Sequence, residues 1–69
     1  MIDLLNKTGE ALYGPHFQRE LSKALGVAER TMRRWQLGEF QIPPGIRAEL
    51  AALVVKRQRE LQALLKELS

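Results

Sequence analysis

The chain has 69 residues, 45% of them apolar and 28% charged, with no cysteine and a formal net charge of +3. That size and balance describe one small domain with a single modest core, which the helical patterns below make all-α, and not a disordered segment; the lack of cysteine excludes a disulfide framework and any Cys-ligated zinc finger. Met1-Ile2-Asp3 opens with an acid where a secretory signal carries basic residues, and no uncharged run approaches the ~20 residues of a membrane span, so the sequence predicts a soluble, cytoplasmic protein.

Ile2 to Tyr13 reads as a first helix, with Ile2, Leu5 and Leu12 near one face and Leu4, Thr8 and Ala11 widening it; Asp3 is placed to cap it. Gly9 inside this helix weakens it by roughly 1 kcal/mol relative to Ala, unless a neighbouring element needs the close approach. Tyr13 belongs at the core edge, and Gly14 ends the helix. Pro15 suits the first turn of a second helix running from about Pro15 to Leu25, with Phe17, Leu21, Ala24 and Leu25 as its apolar stripe.

Gly26 stops that helix and Val27 re-enters the core. The next helix, from Ala28 or Glu29 to Leu37, places Met32 and Trp35 on one side and Glu29, Arg30, Arg33, Arg34 and Gln36 on the other, and Gly38 ends it. Two helices joined by a short Gly-containing turn, the second with a basic outer face, are the pattern of a helix-turn-helix, here over about residues 17–37. Arg19, Lys23, Arg30, Arg33 and Arg34 against Glu20 and Glu29 give this stretch a charge equal to that of the whole chain. Without the motif, the same residues describe a helical hairpin with a solvated basic face.

The run Leu21, Ser22, Leu25, Gly26, Val27, Met32 and Trp35 resembles the helix-turn-helix of the small phage and bacterial repressors of the Cro and lambda-repressor type. The family more often has Ala where Ser22 stands, which keeps the site small. Many relatives have Ser or Thr at Ala28 to cap the recognition helix; here the cap falls to water, Glu29 or a phosphate. The resemblance implies a compact helical bundle that places its second motif helix in the major groove of double-stranded DNA. It implies base contacts by Glu29, Arg30, Arg33 and Arg34, with Arg suited to bidentate pairing with guanine and Glu29 to a cytosine amino group or to orienting an arginine. Phosphate contacts are expected from His16, Gln18, Arg19 and Lys23 at the start and outer face of the first motif helix.

Phe40 and Ile42 are expected to fold back over the core, and Pro43-Pro44-Gly45 makes a rigid corner. From about residue 44 to 68 the chain is rich in strong helix formers, giving a helix of about 35 Å. Ile46, Leu50, Leu53 and Val54 can close the core. Beyond them, Leu61, Leu64, Leu65 and Leu68 make an amphipathic stripe; Val54, Leu61 and Leu68 recur every seven residues, but the pattern lasts under three heptads and includes Arg57. Two packings follow: a homodimer interface of Val54, Leu61, Leu64, Leu65 and Leu68, with Arg57 snorkelling outward or pairing with Glu60 or Glu67 of the partner, or a fold back onto Ile2, Leu4 and Leu5.

No Gly-rich phosphate loop, His and Cys pairing or metal triad is present, and the one histidine, His16, suits a capping or phosphate-facing role better than a ligand role. The sequence therefore predicts neither enzyme nor cofactor nor metal. The expected function is sequence-specific binding to a palindromic operator by a homodimeric repressor or autoregulator. The alternative is a protein-interaction module that uses the amphipathic C-terminal helix; single-stranded RNA is poorly served, because the basic face lacks aromatic residues to stack on bases.

Overall fold

In a computed structural model describing Met1–Ser69, the chain forms four helices and no strand: α1 (Ile2–Tyr13), α2 (Gln18–Leu25), α3 (Glu29–Gln36) and α4 (Gly45–Leu68). The three shorter helices and the first half of α4 enclose one core of Leu5, Phe17, Leu21, Leu25, Met32, Trp35, Ile42, Ile46 and Leu50, edged by Ile2, Tyr13, Val27 and Leu53. The second half of α4 projects beyond this bundle and gives the molecule its 47 × 22 × 19 Å extents. No helix is long and apolar enough to cross a membrane.

Two helix starts differ from the sequence expectation. Asp3 does not cap α1; it lies inside the first turn, where its charge meets the positive end of the helix dipole, and Met1 takes the cap position. α2 begins at Gln18, leaving Pro15 and His16 in a turn; Phe17 takes the cap position in a helical conformation and buries its ring under α1. There it packs against Gly9, where an added Cβ would stand inside the van der Waals radius of the ring. The glycine that weakens α1 by propensity is therefore the seat of a core aromatic.

Gly9→Ala accordingly should reverse the sign that helix propensity alone gives. Propensity favours Ala by about 1 kcal/mol, but Phe17 is only 2% exposed and has no free space to move into. Overpacking of this kind costs typically about 1–3 kcal/mol, so chemical denaturation should show a less stable variant. A more stable one would mean that the ring shifts without cost.

The long side of α4 is fixed to the bundle by Arg57. Its Nη1 donates to the Leu12 carbonyl at 2.8 Å, its guanidinium lies 5.6 Å from the centre of the Tyr13 ring, and its Nε is 3.6 Å from Glu60 of the same chain. α1 has no basic residue in its own last turn. Arg57 thus brings from α4 the donor and the positive charge that the C-terminal end of a helix favours. This corrects the expectation that Arg57 sits in a dimer stripe: it faces its own bundle. The fold-back of the leucines onto Ile2, Leu4 and Leu5 is not what the chain does either, since Leu61, Leu64, Leu65 and Leu68 are all exposed and Leu4 stays open to solvent. Val54 and Ala24 are also exposed; the Ala24 methyl lines an open groove with Leu12, Tyr13, Leu53 and Lys56 that it is too short to fill.

Candidate nucleic-acid interface

α2 and α3 are joined by Gly26, Val27 and Ala28. Gly26 takes a left-handed conformation at φ 71°, so its N–H reaches the Lys23 carbonyl (3.2 Å) and the Val27 N–H reaches that of Ser22 (3.0 Å). This is the Schellman arrangement, and it turns the chain while satisfying carbonyls that the helix end leaves open. Ser22 is 2% exposed and donates its hydroxyl to the Gln18 carbonyl. The small side chain lets α3 pack closely on α2 and carries no unsatisfied polar group. Ala28 is the extended residue before α3, and no side chain caps that helix.

α3 buries two residues in the core, Met32 and Trp35. With 100° between successive residues, the direction opposite them runs between Arg30 and Leu37, with Arg33 and Arg34 about equally far to either side of it, while Glu29 and Gln36 lie on the flanks; Arg30, Arg33 and Leu37 are exposed and Arg34 is half-buried. Both flank residues and Arg34 have an engagement. Glu29 meets Arg33 at 3.4 Å, Gln36 donates to Asn6 of α1 at 2.8 Å, and the Arg34 guanidinium lies 5.0 Å from the centre of the Phe40 ring. Gln36 is therefore a tie between α3 and α1, not part of the open face on which the sequence pattern places it.

On α2, Arg19 and Lys23 are exposed and four residues apart, hence on one flank, and Gln18 is half-buried. His16 is exposed in the preceding turn and does not cap α2, which has no side-chain cap. The two ion pairs of the molecule are Arg33 with Glu29 and Arg57 with Glu60. Arg19, Lys23, Arg30 and Arg34 are consequently cations without a carboxylate partner.

Two residues on or beside this face escape the sequence reading. Leu37 is 72% exposed and directed like Arg30 and Arg33; its spacing of four from Arg33 and seven from Arg30 is the signal that would have placed it there. Phe40 does not fold over the core but stands 50% exposed beside Arg34. On the free half of α4, Leu61, Leu64 and Leu68 continue the direction of Ile46, Leu50 and Leu53, with Val54 and Leu65 together at its edge, whereas Val55 points the opposite way. Comparison with protein-family models, with curated proteins and with solved structures found no match.

Proposed function

We propose that this protein is a cytoplasmic, sequence-specific double-stranded DNA-binding regulator of the small helix-turn-helix repressor type, acting as a homodimer at a palindromic operator. What carries this reading is α3: a short helix seated on Met32 and Trp35 and set off by a three-residue turn, it offers Arg30 and Leu37 outward with Arg33 and Arg34 to either side of them. A helix of that width enters the major groove, where Arg pairs with guanine edges and an apolar side chain such as Leu37 can meet a thymine methyl. Arg19 and Lys23 on α2 suit phosphates, whose contacts orient a protein on the duplex without reading sequence.

Self-association is supported by the leucines beyond Glu60. One short helix reads few base pairs, and two-fold pairing presents two such helices to half-sites about 34 Å apart. Leu61, Leu64 and Leu68 form one apolar line that the bundle leaves bare, along the same side of α4 as a groove of about 180 Å³ lined by Leu4, Thr8, Arg47, Leu50, Ala51 and Val54. The same bare line is what favours the second reading, a module that binds another protein through α4.

Paired substitutions on the two motif helices test the assignment of roles. Arg34→Ala should lower affinity for the preferred site by about 1–3 kcal/mol and relax preference at one base position, with random duplex little affected. Lys23→Ala should weaken all sequences alike and reduce the salt slope by about 1. Equal losses on specific and random DNA would make Arg34 a phosphate contact, and an unchanged slope would remove Lys23 from the interface.

A further inference from the structure

The chain beyond α3 turns back on the helix it has just left. Gly38, at φ 76°, repeats the Schellman arrangement: its N–H bonds the Trp35 carbonyl at 3.1 Å, and the Glu39 N–H bonds the Arg34 carbonyl at 2.9 Å. The Phe40 N–H also reaches the Arg34 carbonyl, at 3.4 Å. This backbone clasp sets the Phe40 ring against the Arg34 guanidinium, with 5.0 Å between the Cζ and the ring centre. Half of Phe40 remains open to solvent, so core burial does not account for its position.

We propose that Phe40 is a specificity-determining residue that fixes the orientation of Arg34 for base reading; the inference rests on the DNA-binding function proposed above. A guanidinium has two distinct recognition surfaces. Its flat face stacks on an aromatic ring, and its five N–H donors lie in the plane and point outward. Stacking on Phe40 uses the face and leaves the edge free, and the edge is what meets guanine O6 and N7.

The three arginines of α3 are thereby unlike one another. Arg30 has no partner. Arg33 shares an ion pair with Glu29 in which the two side chains are 68% and 41% exposed, a kind of contact that water and salt weaken readily. Arg34 alone lies against an aromatic ring, one carried on a main chain that backbone hydrogen bonds tie to the end of α3. A free arginine loses its rotamer freedom on pairing and can swing toward a neighbouring acceptor when the base is wrong. One already stacked has lost that freedom beforehand, so the penalty for a wrong base is larger. Arg34 thus reads, and Phe40 is the positioning residue that sharpens the reading.

Selection from a randomised duplex library with the full chain tests this, using wild type, Phe40→Tyr and Phe40→Leu. Leu keeps apolar bulk at a half-exposed site but has no ring face, whereas Tyr keeps the face. Wild type and Phe40→Tyr should both require guanine at one position of each half-site. Phe40→Leu should relax that position alone and bind the selected site about two- to fivefold more weakly, the size of an exposed cation–π contact. Its affinity for random duplex and its salt slope should match wild type, its melting temperature should fall by no more than about 2–8 °C, and in an Arg34→Ala background it should have no further effect on base preference. Equal loss on selected and random DNA, or an undiminished effect in the Arg34→Ala background, would overturn the proposal and reduce Phe40 to a loop residue. If wild type itself enriches no sequence, the DNA-binding function fails and the proposal with it, an outcome distinct from a wild type that selects and a Phe40→Leu variant that selects equally well.

Discussion

Trp35→Ala should leave the chain largely unfolded at ordinary temperature. Trp35 is 4% exposed and is, with Met32, one of the two residues that α3 buries in the core. Truncating a buried Trp costs about 3–5 kcal/mol through lost transfer energy and the cavity left behind. At roughly 0.05–0.15 kcal/mol per residue, a chain of this size holds only about 3–10 kcal/mol in total. Circular dichroism should therefore show much of the helical signal gone before heating. A variant that keeps the wild-type melting curve and merely binds DNA poorly would place the indole on the nucleic acid instead.

The second large effect is expected from Leu61→Glu/Leu64→Glu. Both leucines lie beyond the last contact of α4 with the bundle and point the same way, so carboxylates there cost the monomer fold little while placing like charges opposite one another in a two-fold interface. Light scattering should show a dimer for the intact chain and a monomer for the variant. Losing the second half-site removes the gain from linked binding, about 10²–10⁴-fold in affinity for a palindromic site. A monomer in both cases, with unchanged operator affinity, would mean that α4 does not join two copies, and the exposed line would then be free for a different protein.

The sequence discloses most of the fold because its punctuation is strong. Gly14, Gly26 and Gly38 stop three helices, the apolar spacing marks Leu5, Leu12, Leu21, Leu25, Met32, Trp35, Ile46 and Leu50 as inward, and Pro43-Pro44 sets the corner before α4. Proline and periodicity together place the start of α2 at Pro15 and not at Gln18, since Pro15 suits a turn as well as a first helical position, and neither expresses the close approach of the Phe17 ring to Gly9. The interface is legible as a cluster of charges but not as an arrangement. The contacts of Gln36 with Asn6 and Arg34 with Phe40 and, behind them, of Arg57 with Leu12 and Tyr13 join residues whose spacing follows no helical period. Such pairs depend on where the turns send the chain, and hydrophobic patterning carries no signal for them. Arg57 is the clearest case: by heptad position it belongs among Leu50 and Leu64, and by geometry it closes the end of α1.

Binding of the wild-type chain to random duplex DNA across a salt series tests most directly whether the basic face of α2 and α3 engages DNA. Measurable affinity at low salt should fall steeply, with the logarithm of the binding constant declining linearly in log salt by about 0.9 for each phosphate neutralised. An absence of binding at low salt, or an affinity that salt does not change, would contradict a DNA-binding function and leave the cations of these helices a solvated surface.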